Sequence, residues 1–181
     1  MISSKDKKII VFSGKQFSGK DTVAKILLEK FKTFKRIGIA DSIKMLYSSQ
    51  TGLSIEEIEK NKSKYRQDLI NLGDWGRTQS PDYWLNSIIA YDGNTIVTDI
   101  RVEHELNLFR SNGAFAIRVE ASEEARSKRG KLASKNDATE TGLDNIKDWD
   151  YVISNEGTYE ELVENTEKLI TKLVNIWGEN L

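Results

Sequence analysis

The stretch "VFSGKQFSGKDTVAKILLEK", residues 11–30, decides how the rest of the chain is read. It opens on an apolar run, passes through Gly14 and Gly19, and ends in helix-like periodicity. In that order, successive backbone N–H groups and a helix N-terminus converge on one point, an arrangement suited to an anion. The question it poses is whether this loop holds a phosphate, and whose.

Working outward, 181 residues with 38% hydrophobic and 30% charged side chains are enough for one well-buried core, so a single globular domain over 1–181 is expected. The formal net charge of −1 provides no global field for nucleic acid or anionic lipid, and any anion site must be local. Without cysteine there is no disulfide framework, no thiolate nucleophile and no Cys-based zinc site. The single histidine, His104, removes multi-His metal sites; flanked by Glu103 and Glu105 near a helix start, it is assigned no catalytic role. The apolar run in "MISSKDKKIIVF" is too short for a signal peptide, and no later stretch reaches the roughly 20 apolar residues of a membrane span. The expectation is a cytoplasmic protein with no nucleic-acid or membrane partner.

Strand signals at 7–12, 36–40, 95–100, 114–120 and 150–154 alternate with helical ones, which points to an α/β sheet with helical connections. Helices are expected at 19–31, 42–50, 54–60, 64–75, 82–91, 101–112, 122–130 and 159–177. In the last, Leu162, Val163, Thr166, Leu169, Ile170, Leu173, Val174 and Trp177 form a packing stripe. No strand signal interrupts 41–93, so that stretch reads as a helical insertion; 126–149 is polar and aperiodic.

Gly14, four residues, then Gly19-Lys20 fits G-x-x-x-x-G-K, the P-loop, and it sits between strand and helix as that motif requires. Glycine lets the backbone curl around the anion, and Lys20 supplies a mobile charge for the β- and γ-phosphates. Asp21 stands where Ser or Thr usually follows the lysine, with Thr22 next, leaving Thr22, Asp21 or a water as the magnesium ligand.

In "TIVTDIRVEHE" a strand ends in Asp99, followed by Arg101. Ligands of open α/β sheets bind beyond the carboxyl ends of strands. There Asp99 holds a magnesium water or accepts a proton, and Arg101 clamps a phosphate through two parallel hydrogen bonds. The alternative is that Asp99 caps the next helix and Arg101 pairs with Glu105. "ARSKRGKLASK" gathers Arg126, Lys128, Arg129, Lys131 and Lys135, either a closing lid over the phosphates or a solvated charged face. Asp137, Glu140 and Asp144 follow, available for salt bridges to that segment or for solubility.

Together "FSGKQFSGKDTVA", "DSIK", "YRQDLINLG", "VTDIRVEHEL", "GAFAIRVEASEEARSKRG" and "ETGLDNIKDWDYVISNEGTYEEL" resemble P-loop kinases related to phage-type deoxynucleoside monophosphate kinases and animal-type phosphomevalonate kinases. The resemblance implies a nucleoside-monophosphate-kinase-like, three-layer α/β/α fold with a five-stranded parallel sheet, an acceptor-binding helical insertion at about 41–93 and a lid at about 126–149. It assigns ATP binding to Gly14, Lys15, Ser18, Gly19, Lys20, Asp21 and Thr22, with Asn155 and Gly157 at the adenine. Magnesium falls to Asp21, Thr22 and Asp99, directly or through water. Lys20, Asp99, Arg101, Arg126 and Arg129 become the transfer and lid residues, and Lys44, Arg66, Arg101 and Trp84 face the acceptor. Relatives tend to carry basic residues where this chain has Gln16 and Phe17, so that part of the phosphate field is either missing or supplied by Lys15.

The acceptor has two candidate chemistries. Trp75, Tyr83 and Trp84 are available to stack a base or to fill a core. A phosphomevalonate, with a carboxylate and a phosphate, instead calls on Lys44, Arg66, Arg77 and Arg101. The leading expectation is magnesium- and ATP-dependent phosphorylation of a (deoxy)nucleoside monophosphate by a monomer or homodimer. Phosphomevalonate kinase is the enzymatic alternative, and a non-catalytic nucleotide-binding switch is the alternative of another class.

Overall fold

The computed structural model describes residues 7–132 and 141–178, with the backbone only at 62 and 63. Lys135, Asp137 and Glu140 lie outside the described residues. The strands are β1 (Ile9–Ser13), β2 (Phe34–Arg36), β3 (Asn94–Val97), β4 (Phe115–Glu120) and β5 (Tyr151–Ser154). The helices are α1 (Lys20–Lys30), α2 (Ile39–Thr51), α3 (Ile55–Lys60), α4 (Lys62–Gln79), α5 (Tyr83–Ile89), α6 (Glu103–Ser111), α7 (Glu123–Arg129) and α8 (Tyr159–Trp177). By contact they divide into two compact units, residues 37–91 and the remainder.

The first unit is built on a five-stranded parallel sheet in the order β2-β3-β1-β4-β5, flanked by helices. Every residue of β1 and β3 is buried, the condition of central parallel strands covered on both faces and the reason they read as apolar runs. β1 pairs with β3 on one side and β4 on the other, so the strand order reverses beside it. The chain leaving β1 therefore emerges at a topological switch point, where a crevice opens beyond the carboxyl ends.

The α8 stripe is core: Leu162, Thr166, Leu169, Ile170 and Leu173 are buried, and the four aliphatic residues join Leu27 of α1 and Phe12 of β1 in one cluster. The helix begins where a reciprocal cap forms, Thr158 Oγ1 accepting from Glu161 N–H (3.3 Å) and the Glu161 carboxylate from Thr158 N–H (2.9 Å).

One strand is displaced from its expected place. The apolar pattern of "RIGIA" suggests 36–40, yet β2 is Phe34–Arg36 and α2 starts at Ile39. The Asp41 carboxylate accepts the N–H of Gly38 at 3.0 Å, closing a helix cap just where the strand was expected to continue. Local capping overrides an apolar run on a short edge strand.

The second unit contains α2 to α5 and, among the described residues, no strand. Its interior holds Ile58, Tyr65, Trp84, Leu85 and Ile88. Trp84 Nε1 donates to the Gly73 carbonyl at 3.0 Å, and a Cβ on Gly76 would stand 2.5 Å from the indole. Gly76 thus forms the notch on α4 that admits the ring, which explains a residue that otherwise costs a helix interior about 0.5–1 kcal/mol.

Candidate active site

The loop from Gly14 to Lys20 occupies the crevice end of β1. Ser18 N–H closes a turn on the Lys15 carbonyl at 3.0 Å. Phe17 (φ 61°) and Gly19 (φ 101°) are left-handed, and alternation of that conformation with right-handed residues turns successive N–H groups to one side. At Gly14 a side chain is excluded for another reason: its Cβ would sit 2.6 Å from the Val119 carbonyl of β4. Gly19 is the N-cap of α1 and offers no capping side chain, so the positive end of an eleven-residue helix meets the loop without a side-chain cap. The buried Ser18 Oγ has no hydrogen-bond partner among the described residues. These features fit a bound phosphate.

Lys20 is the first residue of α1 and half-buried; Thr22 lies two positions on. Asp21 is drawn sideways, its Oδ1 accepting from Arg36 Nη2 at 2.9 Å while Arg36 Nε reaches Thr98 Oγ1 at 3.0 Å. The described residues hold no cluster of three or more acidic or histidine side chains suited to a metal. Magnesium in nucleotide sites relies mostly on phosphate and water oxygens, so this donor set accommodates it without such a cluster.

Beyond β3, Asp99 does not cap α6. That helix starts after Val102, and the Glu105 carboxylate accepts the N–H groups of Arg101 (2.8 Å) and Val102 (3.3 Å). Asp99 Oδ1 is buried, whereas the Arg101 residue is exposed.

Arg126 and Arg129 of the basic segment, the first buried and the second exposed, both reach back to main-chain carbonyls of the loop. Arg126, 8% exposed, donates to the carbonyls of Ala121 (3.2 Å) and Gln16 (3.3 Å). Arg129 donates to the carbonyls of Phe17 (3.3 Å) and Asn155 (2.8 Å). Gly130 lies directly under the Phe17 ring, where any Cβ would collide with it. Lys128, by contrast, faces solvent and pairs with Glu124 at 2.7 Å. Gly157 is explained by the α8 cap, since a Cβ there would overlap the Glu161 carboxylate.

Two contributors, Arg118 and Glu156, escaped the sequence reading, and a third has partners other than those considered. Asp144, expected either to pair with the basic segment or to solubilise it, bridges Lys15 (2.7 Å) and Arg118 (3.0 Å), neither of them in that segment. Arg118 is buried on β4 and donates to Ser13 Oγ at 2.8 Å, which the Ser13–Arg118 register dictates. A charge inside the apolar "AFAIRVE" was the available signal, because buried arginine is rare unless paired. Glu156 accepts the Ser122 hydroxyl (2.6 Å) and N–H (2.7 Å) at the start of α7; these bonds, side chain first, hold its carboxyl below the ordinary glutamate range.

Within the helical unit, a cavity of about 760 Å³ lies between α2 and α4, with Ile43, Leu69 and Ile70 as apolar lining and Lys44, Arg66 and Arg77 as cations. Burial pulls the Lys44 ammonium down, but hydrogen bonds and charges from Glu59 and Asp41 outweigh it and leave it above the ordinary lysine range. Arg77 pairs with Asp74 at 2.8 Å, while Arg66 makes no ion pair among the described residues. Trp84 requires correction: at 4% exposure, with its N–H on Gly73, it is a core side chain and offers no stacking face. Trp75 is exposed and meets Tyr83 edge-on at 5.3 Å.

Comparison with known proteins agrees with this geometry. The phosphomevalonate kinase family model matches residues 12–115, and the deoxynucleotide monophosphate kinase model residues 67–166. Among solved structures, the shikimate kinase of Aquifex aeolicus is 20% identical, with a TM-score of 0.51 over 94% of this chain and 99% of that one. The APS kinase of Mycobacterium tuberculosis, solved with AMPPNP and APS, is 12% identical with a TM-score of 0.54, covering 93% of this chain and 98% of its own. Thymidylate kinase from Candida albicans is 15% identical with a TM-score of 0.51, over 96% and 94%. At these identities the structural matches establish the fold, and the two family models, each spanning more than half of the chain, establish the family: the protein belongs to the P-loop kinases that the phosphomevalonate kinase and deoxynucleotide monophosphate kinase families share.

Proposed function

We propose that this kinase transfers the terminal phosphoryl group of ATP to a (deoxy)nucleoside monophosphate, yielding the diphosphate. The observation that carries the reading is the cavity between α2 and α4, whose apolar lining and three cations suit an anionic acceptor with an apolar body. Its volume of about 760 Å³ lies within the roughly 300–1,000 Å³ of small-molecule sites. The deoxynucleotide monophosphate kinase match, from within α4 into α8, supports the same choice.

Phosphoryl transfer asks little covalent chemistry of a protein, so these residues act by position and charge. The N–H groups of the Gly14–Lys20 loop and the Lys20 ammonium receive the triphosphate, with Lys15 adding charge at the loop's start. Thr22 and Asp99, directly or through water, would hold a magnesium ion, whose charge would offset that of the phosphates. Thr22 is the hydroxyl nearest the usual P-loop position, Asp21 being engaged by Arg36. Asp99 would either help hold the ion or take the acceptor's proton, and Arg101 offers a planar pair of donors to phosphate oxygens.

A second reading is supported by the phosphomevalonate kinase match over residues 12–115 and by the cavity, where none of the described lining residues is aromatic and three cations suit a phosphomevalonate carrying carboxylate as well as phosphate. One assay separates the readings. Purified protein with ATP and magnesium is offered deoxynucleoside monophosphates and phosphomevalonate, and ADP is followed. Turnover on a nucleotide is expected; turnover on phosphomevalonate alone selects the second reading, and nucleotide binding without turnover on any acceptor refutes both. Lys20→Ala and Arg101→Ala should each lower turnover by about 10²–10³, the scale of losing one charge-stabilising donor. Unchanged turnover in both, with the fold intact, refutes those roles.

A further inference from the structure

The four residues between the loop glycines are each held by a side chain from the later part of the chain. Lys15 is paired with Asp144, and the carbonyls of Gln16, Phe17 and Ser18 accept from Arg126, Arg129 and Asn155. The last bond is the shortest of the three to carbonyls, 2.8 Å, and it is buried. Asn155 itself is 6% exposed. Its Nδ2 donates to Ser18, its Oδ1 accepts from Arg129 at 3.3 Å, and its main chain is fixed by Glu120 (N–H to carbonyl, 2.8 Å) and Arg129 (carbonyl, 2.8 Å). The Nδ2 atom also occupies the space a Cβ on Gly19 would need.

A peptide unit is planar and trans, so its carbonyl and the next N–H point in opposite directions. Holding the Ser18 carbonyl on the Asn155 side therefore turns the Gly19 N–H to the other side, in the last peptide before α1. We propose that Asn155 is a positioning residue for the triphosphate, acting through the Ser18–Gly19 peptide, and not a reader of the adenine base. The inference rests on the reading of the Gly14–Lys20 loop as the triphosphate site.

The test separates phosphate positioning from base contact. Asn155→Asp puts an acceptor against the Ser18 carbonyl, and Asn155→Ala removes the donor with less disturbance. Each variant, with its fold checked by thermal melting, is titrated with ATP, GTP and inorganic tripolyphosphate. All three affinities should fall together, by about tenfold or more for Asn155→Asp, the scale of one lost buried hydrogen bond, with the ATP-to-GTP ratio unchanged. In the wild-type protein, the Asn155 side-chain amide resonance should move on adding tripolyphosphate and stay put on adding adenosine. A changed ATP-to-GTP ratio with tripolyphosphate binding intact, a resonance that answers adenosine alone, or wild-type affinities in folded variants overturns the proposal. Failure of the wild-type protein to bind ATP or tripolyphosphate overturns instead the reading of the loop on which it rests.

Discussion

Asp144→Ala removes one carboxylate from between two cations. Its Oδ1 lies 3.0 Å from Arg118 Nη2 and its Oδ2 2.7 Å from Lys15 Nζ. The Arg118 side chain is 9% exposed, also donates to Ser13 Oγ, and lies 5.8 Å from the centre of the Trp149 ring. At 3.0 Å and an effective dielectric constant of about 20 the gross attraction is ~5 kcal/mol, most of it offset by dehydrating both ions. Breaking a fully buried pair costs about 3–5 kcal/mol because the remaining charge is stranded. The Asp144 side chain is 36% exposed, so water reaches its side of the pair and about 1–3 kcal/mol is expected. For a chain of this size that lowers the melting temperature by roughly 3–10 °C. Thermal unfolding of wild type, Asp144→Ala, Arg118→Met and the double variant measures it. The double variant should lose at least ~1 kcal/mol less than the sum of the singles, since Met leaves no charge to strand. Unchanged melting in Asp144→Ala, or strict additivity, refutes the argument.

Gly76→Ala should destabilise the helical unit by about 1–3 kcal/mol in urea unfolding, because the methyl must displace the Trp84 indole; a gain in stability, as at an ordinary helix glycine, would contradict the packing. Glu156 titrates below its ordinary value of 4.5, because the folded protein favours the carboxylate. Its bracing of the α7 start is therefore present above that pH and is lost as pH falls through the depressed value. The hydrogen-exchange protection factors at the first turn of α7, taken relative to the intrinsic rate at each pH, should fall on acidification in wild type and lose that response in Glu156→Gln; the same response in both would remove Glu156 as the cause.

The residues that belong to the loop and to periodic elements are legible because their reasons are local. Gly14, Gly19 and Lys20 declare a turn into a helix within seven positions, and the α8 stripe repeats at helical spacing. Alternating strands and helices likewise announce the parallel sheet, whose neighbours obey connection rules. Where a short-range cap competes with an apolar run, as at Gly38 and Asp41, the signal misplaces a strand by a few residues.

What the tertiary structure alone decides is which side chains grip the loop and which aromatic is core. Ser18 and Asn155 stand 137 positions apart, Gln16 and Arg126 110, and Ser13 and Arg118 105. No propensity or spacing connects such pairs. They meet because β1 lies beside β4, which in turn pairs with β5, bringing the carboxyl ends of three distant segments to the same crevice. Trp84 follows the same logic, its ring selected by a notch on α4 rather than by its own neighbours in sequence. Local chemistry along the chain names the loop, and strand adjacency, a property of the folded sheet, chooses the side chains that hold it in shape.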